Sequence, residues 1–329
     1  MRAVLASLRA GLRSLGRNTG LVAVVFASNL GLALVLAVPL AFQLEQDLRN
    51  RGASSTMMYG FDFDWWSQWS ERQTGAGAAL APDLLGSGFA LRNLELLLQG
   101  YVPAGLFARA ERLPLDASIL GLGLLYLLAQ AFLAGGILSA FRRPRGGFAL
   151  RGFLHASGFY FGRMARLSLV ALAGAGLVFA LNVPLARLVD GLAREAVSGR
   201  TALALVLSRH AALLVTLLLV HMVVSHARVL VVREERLSVL LAALSSLVFC
   251  VRRFAAAFGQ YLCVGLAALA LVWIFGRLDA SLSVVGYRSQ LAALALMQGF
   301  VAARIALRLW LAASQLELQR AGAGTAEGR

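Results

Sequence analysis

Residues 20–42 read GLVAVVFASNLGLALVLAVPLAF, an uncharged stretch that decides what kind of protein this chain forms. A helix of about 20 apolar residues is long enough to cross the roughly 30 Å hydrocarbon core of a bilayer. The apolar region of a secretory signal peptide is shorter than this stretch. Residues 20–43 are therefore predicted to form the first transmembrane helix.

The rest of the chain is similarly apolar. Of its 329 residues, 59% are hydrophobic and only 14% are charged, and the mean hydropathy is +0.75. Ordinary soluble domains are less apolar and more charged. We therefore predict an all-α polytopic membrane protein with six transmembrane helices. The five further spans are residues 117–141, 167–185, 211–232, 254–276 and 289–311.

The arginines are distributed unevenly among the polar segments that these spans separate. Alternate segments, beginning at the N-terminus, contain 19 arginines and 4 acidic residues when Arg228, Arg304 and Arg308 at the adjoining ends of their spans are included, whereas the other segments contain 12 of each. Arginine accumulates on the cytoplasmic side of bacterial membrane proteins, so both termini are expected in the cytoplasm and the protein in the inner membrane. The net charge of +15 then indicates topology and an attraction to membrane lipids, and no nucleic-acid partner is predicted.

Segments outside the spans carry further predictions. Residues 1–19 have arginines at helical spacing, which predicts an amphipathic helix on the cytoplasmic surface. Residues 236–253 predict a second cytoplasmic amphipathic helix, because an apolar core of about 15 residues is short for a span. We expect residues 44–115 to form a mostly helical outer loop and residues 312–329 to form a disordered tail.

Shorter features refine this outline. Pro82 is a typical first residue of a helix, and the leucines after it predict a helix that ends near Gln99. The glycine-rich and aromatic residues 146–162 are expected to lie at the cytoplasmic interface outside a span. An outer loop is expected to follow the third span as far as His210.

The outer loop contains the most distinctive motif of the chain, Phe61-Asp62-Phe63-Asp64-Trp65-Trp66, followed by Trp69. One interpretation is an aromatic anchor at the membrane interface with an acidic helix cap. The other is a carboxylate pair that binds a cation or serves as an acid. A protein partner on this outer face is also a hypothesis. The candidate residues are Asp62, Asp64, Trp65, Trp66 and Trp69.

Arg304 and Arg308 are the candidate residues for contact with a lipid or another anion. They lie near the cytoplasmic end of the sixth span, where long arginine side chains reach the headgroups. One hypothesis is a site for an anion or a phospholipid headgroup. The alternative is a pair that only fixes topology, and an ion pair with Glu234 or Glu235 is a further possibility.

The sequence contains no motif of an enzyme or a metal protein. All 31 basic residues are arginine, which excludes lysine-dependent chemistry. The four histidines include no pair at i and i+4, so no metal site is predicted. Cys250 and Cys263 lie in apolar surroundings and predict no disulfide framework. We predict no catalytic residue and no cofactor, and we do not expect an enzyme.

Several short motifs resemble those of an uncharacterised family of six-helix bacterial inner-membrane proteins with an aromatic and acidic motif in the outer loop. The layout is more distantly similar to the membrane domains of bacterial glycerophosphodiesterases. The resemblance implies the six-helix architecture and implies no activity. The matching residues are Gly60–Trp66, Ala81–Gly86, Leu91–Leu94, Ala134–Leu138 and Ala227–Val229.

These observations favour an integral inner-membrane protein that binds lipid or a partner without catalysing a reaction. The alternative is a small-molecule transporter or permease subunit. The predicted spans contain no acidic residue that could carry coupling protons, and this absence weighs against a transporter. Uncharged polar residues within the spans support the alternative, and they are Asn29, Gln130, Asn182, Gln260 and Gln298.

Overall fold

The structure is a computed structural model that describes residues 2–49, 62–73, 77, 80–82, 89–91, 117–142, 148–282 and 287–324. Most of these residues are helical. The helices are α1 (Arg2–Arg17), α2 (Thr19–Arg49), α3 (Phe63–Arg72), α4 (Ala117–Arg142), α5 (Leu150–Glu195), α6 (Gly199–Arg233), α7 (Val239–Arg252), α8 (Phe254–Asp279) and α9 (Tyr287–Gly324). Two short strands are β1 (Leu80–Pro82) and β2 (Phe89–Leu91).

Six of the helices are long and apolar enough to cross a membrane, namely α2, α4, α5, α6, α8 and α9. A backbone in hydrocarbon must satisfy its own N–H and C=O groups, and a helix does so within one segment. The helices confirm the prediction of a polytopic membrane protein with six apolar helices. The prediction that both termini lie in the cytoplasm stays a prediction.

Helix α5 is longer than its predicted span. It contains 46 residues, and at 1.5 Å per residue it is about 69 Å long, which exceeds the bilayer core. Its first turns include residues 150–162, so most of the segment expected at the interface is helical. Its last turns, together with the start of α6 at Gly199, replace the expected outer loop before His210. The residues there are mostly leucine, alanine and arginine, which favour helix over loop.

The prediction of a disordered tail was wrong for residues 312–324, because α9 continues to Gly324. Leu316 and Leu318 are almost fully buried in this part of the helix. Tertiary packing therefore keeps the segment helical, although its polar residues alone resemble a solvated tail. Residues 325–329 lie outside the described residues.

The segment between α3 and α4 contains an antiparallel pair in which Leu80 lies opposite Leu91, and Pro82 lies opposite Phe89. The predicted helix from Pro82 to Gln99 was therefore wrong at residues 89–91. Glycine and proline in and after β1 favour turns over helix, which the leucine pattern obscured. The rest of that predicted helix lies outside the described residues.

The chain divides into two compact units. The first contains Met1–Leu34, Leu127–Val170 and Met222–Arg329, and the second contains Val35–Tyr126 and Ala171–His221. In the first unit α1 packs along α9, because Gly11 allows close approach: an added Cβ would collide with Ser314. The N-terminal helix predicted from its arginines is thus present, and its buried side packs on protein.

Candidate functional site

The first unit brings polar side chains from four helices together, all of them buried except the half-buried Ser225, and we call them the polar layer. Helix α9 presents its polar residues on one side, since positions four apart share a helical face. Buried polar groups are stable only when hydrogen bonded, so their partners decide what the layer does. The polar layer consists of Ser7, Ser225, His226, Gln260, Tyr261, Ser314, Gln315 and Gln319.

Gln315 joins α9 to α6 and α8. Its amide nitrogen donates to the Ser225 hydroxyl over 2.9 Å and to the Tyr261 hydroxyl over 3.1 Å. Ser225 uses its only proton on the Met222 carbonyl, so Tyr261 donates to Ser225 across the 2.5 Å contact between them. Each proton in this cluster has an assigned acceptor, and the arrangement fixes three helices.

Gln319 fixes the tautomer of His226. Its amide nitrogen lies 3.0 Å from the His226 carbonyl oxygen and 3.1 Å from Nδ1 of the same residue. The carbonyl accepts only from a donor, so the amide NH₂ faces it, and Nδ1 must accept as well. The neutral imidazole therefore carries its proton on Nε2, which is buried without a partner among the described residues.

Gln260 connects α8 with both ends of the chain. Its amide nitrogen donates to the Ser7 hydroxyl over 2.8 Å and to the Ser314 carbonyl over 2.9 Å. Ser7 gives its own proton to the Val4 carbonyl. The polar layer thus bonds mainly to itself and holds helices together, which is the usual use of such groups between membrane helices.

Three arginines lie near the ends of the uncharged stretches of α6 and α9, and we call Arg228, Arg304 and Arg308 the arginine set. Arg228 is half-buried, and its Nε atom has no hydrogen-bond partner among the described residues. Arg308 is exposed and lies close enough to Arg228 for the two positive charges to repel each other. The guanidinium carbon of Arg304 lies 5.7 Å from the ring centroid of Phe300.

The acidic residues expected near this set bind other arginines. A Glu234 carboxylate oxygen lies 2.6 Å from Nε of Arg236. A Glu235 carboxylate oxygen lies 2.7 Å from Nη1 of Arg142. The possible ion pair of Arg304 or Arg308 with these glutamates is therefore not formed, and the arginine set has no ion pair among the described residues.

Sequence reasoning identified Arg304 and Arg308 but missed Arg228 as a site residue. A signal for it was present, because α6 contains no charged residue between Arg209 and Arg228. Helix α9 likewise contains none between Arg288 and Arg304. Each arginine ends an uncharged stretch, but sequence does not show that α6 and α9 bring the charge of Arg308 close enough to Arg228 for the two to repel each other.

In the second unit, the outer motif forms helix α3 and a small aromatic cluster. Asp62 is the N-cap of α3 and accepts from the Trp65 backbone N–H over 2.9 Å, as the cap hypothesis predicts. Asp64 is exposed in the first turn. The indoles of Trp65, Trp66 and Trp69 are buried against Leu44 and Leu48 of α2.

Trp69 is the centre of this cluster. Its ring lies 5.8 Å from that of Trp65 and 4.8 Å from that of Trp66, centroid to centroid. Its Nε1 donates to Asp47 over 2.7 Å. The tryptophans therefore pack on protein in the described structure.

Among the described residues, no group of three or more His, Cys, Asp or Glu is placed to hold a metal ion. Comparisons of the chain with protein-family models, curated proteins and solved structures found no match. The family resemblance in the sequence stays a prediction.

Proposed function

We propose that this protein is a non-enzymatic inner-membrane component that binds anionic phospholipid through the arginine set. The observation that carries the proposal is the pair Arg228 and Arg308. Two helices hold their positive charges near each other, and neither residue has an ion pair with a described acidic residue. An anion between them relieves this repulsion.

The chemistry of arginine fits a phosphate ligand. A guanidinium presents several N–H donors in a plane and binds phosphate oxygens in a bidentate manner. The buried Nε of Arg228 offers one donor that no described residue uses. The exposed side chain of Arg308 offers more. A phosphodiester headgroup supplies both the charge and the acceptors that this pair lacks.

The position of the set fits a lipid better than a free anion. Arg228 and Arg304 each end an uncharged stretch of an apolar helix, which is where long cationic side chains reach the headgroup region. Basic pockets between membrane helices are known to bind anionic headgroups. A phospholipid also leaves its acyl chains beside the exposed apolar faces of the helices.

Three of the five polar residues that favour a transporter, Asn29, Gln130 and Gln260, are engaged in structural contacts. Gln130 donates to Asn29 over 3.0 Å, and Gln260 donates to Ser7 and Ser314. A transport site needs polar groups that are free to replace the hydration of a substrate. These contacts therefore support the lipid-binding proposal over the transport alternative.

The test measures the lipids that remain bound after purification from a bacterial membrane. Arg228→Gln and Arg308→Gln remove one positive charge each, and Arg288→Gln removes one at the other end of the α9 apolar stretch. We expect native mass spectrometry to show less bound phosphatidylglycerol and cardiolipin in the first two variants. The Arg288 variant should retain the wild-type amount.

Equal retention in all three variants and the wild type overturns the proposal. An equal loss of bound lipid in all three variants also overturns the proposal, because the loss then follows from the lower net charge and not from the position of the arginine. Thermal unfolding in detergent should be measured for each variant, with and without added phosphatidylglycerol. A lipid bound at the set raises the wild-type melting temperature, and the two site variants should show a smaller rise.

A further inference from the structure

Helix α7 has one face of small residues and one of large apolar residues. The small face is buried and consists of Val239, Ala242, Ser246 and Cys250. The opposite face is between 43% and 70% exposed, and we call it the leucine face. The leucine face consists of Leu240, Leu241, Leu244, Leu247, Val248 and Val251, and exposed Leu237 lies just before the helix.

The small face packs on the uncharged stretch of α6. The Ser246 hydroxyl donates to the Val223 carbonyl over 2.6 Å. The Phe249 ring lies 5.2 Å from the ring of His226. Val223 precedes Arg228 by five residues, which is about 7.5 Å along a helix axis. Helix α7 therefore contacts α6 on the hydrocarbon side of Arg228.

The length and the ends of α7 limit where it can lie. Its 14 residues extend about 21 Å, which is too short to cross the bilayer core. Arg236 precedes it and bonds to Glu234 and Ser245. Exposed Arg252 ends it, and the non-helical backbone of Arg253 separates it from α8. Both ends are thus basic.

We propose that α7 is partly inserted in the leaflet at the Arg228 end of α6, with its leucine face among the acyl chains. The exposed large apolar side chains of this face form an apolar patch that is unfavourable in water. The arginines at the two ends complement anionic headgroups. The contact with Val223 places the helix beside a segment that lies in hydrocarbon.

A second copy of this chain is the competing occupant of the leucine face. A protein interface of this kind carries polar groups that fix its geometry, and the leucine face offers none. Acyl chains need no such groups. The inference does not rest on lipid binding by the arginine set, because it depends on the leucine face of α7 and on the contact of α7 with α6.

The test places spin labels on α7 in lipid nanodiscs that contain phosphatidylglycerol. In a background of Cys250→Ala and Cys263→Ala, single cysteines replace Leu244, Leu247 or Arg252. A cysteine at Leu266, exposed in the middle of α8, is the hydrocarbon reference. Oxygen concentrates in hydrocarbon, whereas a nickel chelate stays in water, so their collision rates report the depth of each label.

We expect labels at Leu244 and Leu247 to show the high oxygen and low nickel accessibility of the Leu266 label. The Arg252 label should show higher nickel accessibility. Nickel access at Leu244 equal to that at Arg252 overturns the proposal, because the face is then in water. Exclusion of both reagents, with dipolar broadening between copies, also overturns it in favour of self-association.

Unmodified protein provides a second measurement in case the cysteine variants do not fold. A phospholipid with a photoactivatable group midway along its acyl chain should cross-link to residues 237–251. Cross-linking only to the six long apolar helices contradicts the insertion of α7. A phospholipid with the same group on its headgroup is the control and should label the arginine-containing ends of the segment.

Discussion

The side-chain nitrogen of Gln260 on α8 lies 2.8 Å from the Ser7 hydroxyl on α1, although 253 residues separate them in sequence. The same nitrogen donates to the Ser314 carbonyl on α9. One amide therefore connects the first helix of the chain with its last two. Helix α1 belongs to the packed core of the first unit, and its stability depends on contacts that a surface helix lacks.

Replacing Gln260 by leucine should loosen α1. The variant removes both bonds, and hydrogen bonds between membrane helices each contribute about 0.5–2 kcal/mol. We expect a lower melting temperature and faster proteolysis near residues 1–17 in detergent. Gln298→Leu is the control, because Gln298 lies on α9 and has no side-chain hydrogen bond among the described contacts. A Gln298 variant as unstable as the Gln260 variant contradicts this role.

Two glycines of α1 provide a matched test of the α1–α9 contact. Gly11→Ala places a methyl group against Ser314, including its backbone, and overpacking of this kind costs about 1–3 kcal/mol. Gly16→Ala meets nothing within 4 Å and should stabilise the helix by up to about 1 kcal/mol. Thermal unfolding should therefore shift in opposite directions. The same shift in both variants contradicts the close approach at Gly11.

The six apolar helices could be predicted from sequence because an uncharged stretch of about 20 residues crosses hydrocarbon as a helix, which satisfies its own backbone hydrogen bonds. Residues 20–42 contain no charge, and α2 covers them completely. The absence of charge in such a stretch is visible in the local composition and is enough to predict a helix. Residues 312–324 lack such a signal, because their helix depends on packing of Leu316 and Leu318 against distant parts of the chain.

The candidate site was predictable only in part for the same reason. Arg304 and Arg308 stand out because each is a charge near the end of an apolar stretch. Their relation to Arg228 depends on the packing of α6 against α9, which periodicity within one helix does not encode. The amphipathic pattern of α7 was visible, but only the contact of Ser246 with Val223 shows that its small face is the buried one.

The bond between Trp69 and Asp47 should stabilise the outer cluster. Trp69→Phe keeps an aromatic ring but leaves the carboxylate without its 2.7 Å donor, and a hydrogen bond to a charged group contributes about 1.5–3 kcal/mol. We expect earlier thermal unfolding and altered tryptophan fluorescence. Ser67→Ala, on the exposed side of α3, is the control and should change neither. Unchanged unfolding of the Trp69 variant contradicts the stabilising role of the bond.

Cys250 should react slowly with maleimide in the folded protein. Burial raises the pKa of its thiol from 9.0 to about 11, with a smaller opposing effect from the Ser246 hydroxyl. Because only the thiolate reacts, this shift alone leaves about 100-fold less reactive species at pH 8. Reaction should accelerate as the pH rises toward 11.

A Cys263→Ser variant isolates this thiol, and mass spectrometry follows its alkylation from pH 7 to pH 10. The same protein unfolded in dodecyl sulfate is the control, and it should react at the rate of an ordinary cysteine. Rapid labelling of the folded protein at pH 7 contradicts the burial of Cys250 on the small face. That result also contradicts the packing of α7 on α6, because Cys250 and Ser246 lie on the same buried side of the helix.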